Sequence, residues 1–330
     1  MATTEGQLDE TAEGTGEARV GWRHTIDQVK RDTTARWGMY VIVIVTFVAL
    51  FSALDANLNR LTLGHISNYA IGQALPLLEH PERIPPPGEI YRNEPPAFAE
   101  GGSWEHPMGT DHEGRDYLTR IVYGTRISIA VGFVATFIGL VGGVAIGAVA
   151  GYYGGWVDDA LMRFVETIYA IPALVLVIVF TVFVSGGRPD VIYAVVGVGL
   201  ASIPVFSRII RSRVLSVREM DYIEAARAAG VKDRNIIMRH VIPNSFAPVL
   251  VYATLQVGVA VLIVAGLSFL GYGAQPPTPD WGQMLNYSHG LMHSSPWHSI
   301  WPGVAIMITV AGFNFFGDGL QDALDPRIEN

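Results

Sequence analysis

The sequence contains no cysteine. Disulfides, thiolate nucleophiles and cysteine-based metal centres are therefore excluded. It contains no G-x-x-x-x-G-K-[ST], so it has no P-loop to cradle nucleotide phosphates. It also lacks HExxH, the helical histidine pair of a zinc protease. Charge is scarce: Asp, Glu, Lys and Arg make up 16% of 330 residues, against about 25% in a soluble domain. The first 36 residues are polar and acidic, with nothing like the apolar core of a secretory signal. They read as a disordered tail, whose Glu5, Asp9, Glu10, Glu13 and Glu17 contribute to the net charge of −8.

What the sequence does have is long apolar runs. Six stretches carry no Asp, Glu, Lys or Arg: 37–54, 127–153, 167–185, 191–207, 247–270 and 300–316. About 20 helical residues cross a bilayer core about 30 Å thick. Six such runs in one chain argue against buried helices of a soluble protein. The expected fold is all-α: a polytopic membrane protein with six transmembrane helices, 37–54 being an uncleaved first span. The chain then divides into a tail (1–36), the first span (37–54), an external loop with an interfacial helix (55–126) and a core (127–330). Within the core, 208–245 is a charged loop and 317–330 a polar C-terminal tail.

Basic residues orient the chain, because Lys and Arg near short loops favour the cytoplasm. Arg19, Arg23, Lys30, Arg31 and Arg36 precede the first span, and Arg163 lies between the second and third. Arg208, Arg211, Arg213, Arg218, Arg227, Lys232, Arg234 and Arg239 fall between the fourth and fifth. Six spans put all of these on one side, with both termini cytoplasmic. The segment after the first span also carries arginines, but long loops count weakly.

Residues 55–110 hold too many Pro and Gly for regular structure. Thr110-x-x-Glu113 then reads as a capping box opening a helix. That helix is amphipathic, with Tyr117, Leu118, Ile121 and Val122 opposing Asp116, Arg120 and Arg126, and is expected at the membrane surface. Gly139, Gly143, Gly147, Gly151 and Gly155 recur every four residues. Without side chains they let a neighbouring helix approach closely. Pro172 and Pro204 are expected to bend the third and fourth spans.

The most distinctive stretch is DYIEAARAAGVKDRNIIMRHVIPNS, residues 221–245. Asp221-x-x-Glu224 resembles an acidic capping box, starting a helix at Tyr222. Ala225, Ala226, Ala228 and Ala229 are strong helix formers, and Gly230 suits a left-handed stop. Lys232, Asp233 and Asn235 fit a turn or second start, and Pro243 closes the unit. The reading is a short helix–turn–helix whose smooth alanine surface fits a groove on another protein.

EAARAAG followed by HVIP resembles the EAA loop of ABC importer permeases, EAA-x3-G-x9-I-x-L-P. Glu224, Ala225, Ala226, Gly230 and Pro243 match, whereas His240 replaces Ile and Ile242 replaces Leu. HPMGTDHEGRDYLTRIVYGTRISIAVG, LSFLGYGAQPPTPDWGQML and GDGLQDALDPR resemble segments of the C-type permease of dipeptide, oligopeptide and nickel importers. Together these cover most of residues 106–327. Two features depart from that family: Glu166 stands where an Asp is expected, and 55–105 is longer than usual.

The resemblance implies an ABC type I importer permease fold in a cell membrane. It implies a second permease subunit forming a heterodimer, two cytoplasmic ABC ATPases and an external substrate-binding protein, with no nucleic acid. The chain itself then needs no catalytic residue, metal or cofactor; ATP and Mg belong to the ATPase subunits. By the same resemblance, Glu224, Ala225, Ala226, Arg227, Ala229 and Gly230 form the coupling helix. Glu224 supplies its polar contact, and Arg227 and Arg239 are candidates to pair with ATPase carboxylates. His240 and Pro243 close the loop, and Asp318, Asp322, Asp325 and Arg327 brace the span ends. Membrane lipid surrounds the whole, and a peptide is the expected substrate.

Other readings remain open on the sequence. A nickel importer is kept alive by His289, His293 and His298, with a His pair at i, i+4. A self-contained carrier would keep ionisable residues inside its spans, where only Glu166 comes near. A membrane enzyme lacks a recognisable site. Gln256, Ser268 and Asn314 are polar candidates for the transport pathway or for helix contacts.

Overall fold

The computed structural model describes residues 28–75, 77–85, 92–188 and 190–324. Most of the tail 1–36 lies outside this range, as do Asp325 and Arg327. Every named element is helical, and the one β feature among the described residues is an isolated bridge between Thr110 and Asp116. Thirteen α-helices are used below: α1 Thr33–Ala56, α2 Leu58–Leu61, α3 Ala70–Gln73, α4 Tyr117–Tyr153, α5 Gly155–Tyr169, α6 Ala173–Ser185, α7 Val191–Val217, α8 Asp221–Ala228, α9 Asp233–Ile236, α10 Ile242–Ser245, α11 Ala247–Phe269, α12 Trp281–Ser288 and α13 Trp297–Leu324.

Among the described residues, five helices (α1, α4, α7, α11 and α13) are long and apolar enough to cross a membrane, and the bent pair α5–α6 makes a sixth if counted as one span. The all-α polytopic fold stands. The third span, however, is broken rather than merely bent: α5 and α6 meet at 88°. Pro172 explains the break. It lacks an N–H and disfavours helical geometry at Ile171, so Pro172 becomes the extended N-cap of α6. Pro204 lies inside α7, which continues through it.

The start of α4 corrects two expectations. Thr110 and Glu113 do not cap a helix. Asp111 accepts the backbone N–H groups of Glu113 (2.8 Å) and Arg115 (3.0 Å), closing a turn that the Thr110–Asp116 bridge completes. Asp116 is the true N-cap, accepting from Thr119 N at 2.7 Å. Nor is there a separate interfacial helix. The amphipathic turns from Tyr117 belong to one 37-residue helix, about 55 Å long, that overshoots a bilayer core. Their polar face is covered because the described residues of 55–85 and 92–116 fold over it as a cap. Arg120 Nη1 donates to the carbonyls of Pro81 (2.9 Å) and Pro277 (3.2 Å). Asp55, at the end of α1, accepts from the Ile71 and Gly72 N–H groups and from the Tyr123 hydroxyl.

Packing between spans follows the small residues. A Cβ on Gly139 would meet Ser202 Cβ at 2.7 Å, and one on Gly151 would meet Val214 Cγ1 at 2.9 Å. On Gly143 it would overlap Phe206 Cβ, and on Gly147 the Ser207 carbonyl. Four of the five spaced glycines therefore seat α7 directly on α4. The fifth, Gly155, has open space around it and φ +53°, and belongs to the turn into α5. On the periphery, α1 touches α13 through Gly38 and Gly312 and exposes Tyr40, Ile44, Phe47 and Leu54. Such an apolar face suits lipid.

Candidate functional site

At the end of the bundle opposite the cap, α8 stands between α7 and α9. Its capping differs from expectation. Met220 is the N-cap and offers no side-chain hydrogen bond, while Asp221 and Glu224 sit in the first turn. There their charges favour the helix N-terminus without bonding its N–H groups. The C-terminus closes as a Schellman motif: Val231 N donates to Ala226 O at 3.1 Å and Gly230 N to Arg227 O at 2.9 Å. Gly230 has φ +74°, the left-handed geometry that this stop requires.

The helix has two distinct faces. Ile223 is fully buried among Val214, Val217, Ile236, Val241 and Val249, and Ala226 packs against the same cluster. Glu224, Ala225, Ala228 and Ala229 are exposed. Ala226 is half-buried and packs inward, because it lies three residues on from Ile223. The Glu224 carboxylate makes no hydrogen bond or ion pair among the described residues, and Arg239 is also exposed.

Arg227 is committed within the chain. Its Nε lies 3.3 Å from the Tyr152 hydroxyl, with the guanidinium carbon 4.9 Å from that ring's centroid. The same hydroxyl donates to Asp233 Oδ1 at 2.8 Å. Tyr152 is in the last turn of α4, so one phenol fastens both arms of the loop to a span. Nearby, Arg218 Nη1 donates to Gly151 O at 2.8 Å. Arg211 grips Asp158 through two bonds of 2.6 and 2.5 Å, tying α5 to α7.

Pro243 does not end the loop unit. Residues from Asp233 onward form an almost continuous helical run, in which Ile237–Val241 is a π-turn and Ile242 N donates to Ile237 O. The wider turn precedes a proline that could not continue regular α-helical hydrogen bonding. His240 lies in this π-turn, and its carbonyl accepts from Asn244 Nδ2 at 2.7 Å. Asp318 and Asp322 brace nothing among the described residues: both are exposed on α13, whose contact with α1 is made instead by Gly319 against Ala35.

Halfway along the bundle, the α5–α6 break opens a cavity of about 510 Å³ between α6, α7 and α11. A row of neutral groups lines it. Tyr252 OH donates to Gln256 Oε1 (2.9 Å), Gln256 Nε2 to Ser202 Oγ (2.8 Å) and Ser202 Oγ to Val198 O (2.8 Å). Of the three polar pathway candidates, Gln256 alone lines this cavity; Ser268 and Asn314 do not.

The histidines near α12 are spread over different structural tasks. His298 is buried, with Nε2 2.6 Å from Thr110 O, and Tyr117 OH donates to its carbonyl at 2.6 Å. His289 Nδ1 lies 2.8 Å from Asn286 O. Among the described residues no three His, Asp or Glu side chains cluster to hold a metal. Sequence reasoning missed the Tyr152–Asp233 bond and the Asp111–Arg120 contact (3.4 Å), because each joins residues far apart or without a motif for pairing.

Comparison with known proteins agrees with this architecture. Residues 143–330 match the family described as binding-protein-dependent transport system inner membrane component. The chain is 38% identical over 309 residues to the dipeptide transport system permease protein of Alkalihalophilus pseudofirmus, covering 94% of this chain and 91% of that one. It is 42% identical over 231 residues to the glutathione transport system permease protein of Pectobacterium atrosepticum, covering 70% and 76%. Its fold is similar to that of the methionine ABC transporter MetNI solved in inward-facing conformations, with TM-score 0.51 and 23% identity over 63% of this chain and 98% of that one. The chain belongs to the family of membrane permease subunits of binding-protein-dependent ABC importers.

Proposed function

We propose that the chain imports di- or oligopeptides, with α8 as the helix that couples it to an ATPase. The observation carrying this is the two-faced helix: Ile223 anchors it, while Glu224, Ala225 and Ala229 stand exposed. A small-residue surface loses little side-chain entropy when it enters a groove. A tyrosine–arginine–aspartate fastening, with the buried Tyr152 at its centre, makes the helix part of α4, so a push on α8 moves a span. Two cytoplasmic ATPases, which hold the ATP and Mg, supply that push, and a second permease completes the pathway. The loop and both termini are then cytoplasmic, in keeping with the basic residues of 208–245. An external binding protein delivers substrate on the capped side. The subunit itself carries out no catalysis; it alternates between two packings of similar energy.

Peptide is favoured over nickel for two reasons. The relatives are named for dipeptide and glutathione transport. The cavity is lined by Gln, Tyr and Ser with no carboxylate, imidazole or thioether among the described residues. The test is gentle purification of the tagged chain from its native membrane, beside Glu224→Arg. Wild type should bring down a second six-span protein and ATPases, and Glu224→Arg should lose the ATPases alone. Wild type purifying folded and by itself would refute the reading.

A further inference from the structure

We infer that Gln256 is a substrate-contact residue in the mid-membrane cavity, and that it reads the amide backbone of a passing peptide. This rests on the peptide-import reading above and deepens it.

The position comes first. Gln256 is the tenth residue of the 23-residue α11, about 14 Å from its start and so near the middle of a 30 Å core. A polar side chain at that depth is expensive unless it is bonded or functional. Gln256 is only 5% exposed, and Ser202 6%. Both are anchored. The row runs in one direction, from the Tyr252 hydroxyl through the Gln256 amide to Ser202 and the Val198 carbonyl. That direction orients the amide and fixes which of its edges is spent.

The chemistry follows from what is left over. A primary amide offers two donors and two acceptor sites. Here one donor goes to Ser202 and one acceptor site to Tyr252. One N–H and one lone pair remain, a complementary match to the C=O and N–H of a peptide bond. The rest of the lining is apolar, including Ile171, Leu176, Val205 and Val259, and Tyr169 forms part of the wall. An uncharged cavity of about 510 Å³ can take small side chains without trapping them, and lies within the size range of ligand sites. The break at Pro172 places irregular backbone against the same space, as is tolerated at membrane depth where it lines a cavity.

The absence of cysteine makes a direct test possible. The whole transporter is reconstituted in vesicles with Gln256→Cys as this chain's single thiol. A membrane-permeant maleimide is applied during turnover, with and without dialanine, S-methylglutathione (whose blocked thiol cannot consume the reagent) or pentaalanine supplied through the binding protein. The transported peptide should slow alkylation of the introduced thiol at least threefold, whereas ATP without peptide should not. Equal rates with and without a transported peptide overturn the inference, as they would if a neighbouring subunit filled the cavity. In parallel, Gln256→Leu should lower maximal peptide uptake about fivefold, the size of one neutral hydrogen bond, while the ATPase stimulation by loaded binding protein persists. Unchanged uptake, or an equal loss of stimulated ATPase, overturns it. Wild-type vesicles separate the two levels. Uptake of none of the three peptides sinks the peptide-import reading itself, whereas uptake that leaves the introduced thiol unprotected sinks only the role given to Gln256.

Discussion

The guanidinium carbon of Arg227 lies 4.9 Å from the centroid of the Tyr152 ring, and its Nε is 3.3 Å from the phenol oxygen. One arginine of the loop helix is thereby stacked on, and bonded to, the last turn of α4. The phenol donates its own hydrogen bond to Asp233 at 2.8 Å, so α8 and α9 share one fastening point. Tyr152→Phe keeps the stacking surface and removes both hydrogen bonds. Uptake per ATP hydrolysed should fall severalfold while the ATPases still copurify. Transport stoichiometry in reconstituted vesicles checks this; an unchanged ratio would remove Tyr152 from the coupling path.

Gly230 holds φ +74° in open space, so the constraint there is backbone strain and not crowding. Gly230→Asn should be tolerated, because Asn accepts left-handed geometry, whereas Gly230→Val should cost ~1–2 kcal/mol locally. The Val variant should insert and fold but transport poorly, with ATPase activity no longer responding to substrate. Normal uptake by that variant would count against α8 as the coupling element.

Gly147 faces the Ser207 carbonyl, which an added Cβ would overlap. Backbone cannot swing aside as a flexible side chain can, so Gly147→Leu must push α7 off α4. A loss of at least ~1–3 kcal/mol is expected, read as a lower thermal midpoint in detergent. Gly266 is the control: a Cβ there meets nothing within 4 Å, and Gly266→Ala should be neutral or slightly stabilising.

His106 Nδ1 lies 3.2 Å from Asp116 and 3.9 Å from Glu79, on the capped side. The hydrogen bond to Asp116 raises its pKa above the usual histidine value, with burial opposing and the charges of Asp116, Glu79 and Glu94 assisting. A raised folded-state pKa adds stability that is complete below the unfolded value of about 6.5 and is lost as pH rises through the folded value. Hydrogen exchange across 92–116 should therefore be slower at pH 5.5 than at pH 8, once intrinsic rates are corrected. His106→Gln should flatten that difference; an undiminished pH dependence would point to another group.

Much of the bundle was legible because membrane crossing is a length-and-composition problem. The apolar run 247–270 coincides with α11 to within a residue, whereas 127–153 and 191–207 each share one end with α4 and α7, which run about ten residues past the other end. Gly230 was legible because a left-handed stop has few alternatives. The capping assignments failed at Thr110 and Asp221. A capping box needs its own local turn, and at 110–116 the Asp111 carboxylate had already taken the N–H groups. The inward packing of Ala226 was not legible because alanine alone does not reveal which side of a short helix is buried; Ile223 decides that.

By itself, the sequence determined that the chain crosses the membrane repeatedly as helices, that it binds no nucleotide through a P-loop, and that its charged loop carries the EAA pattern. These depend on composition and on spacing within a few turns. Only the tertiary structure decided that Tyr152 holds Arg227 and Asp233, that Gln256 bonds Ser202, and that Pro172 breaks the third span enough to open a cavity between them. Those contacts join residues separated by 54 to 81 positions, from Ser202–Gln256 to Tyr152–Asp233. No local periodicity encodes them: they arise when glycine faces let α4 and α7 approach to backbone contact and bring otherwise solitary polar groups within bonding distance.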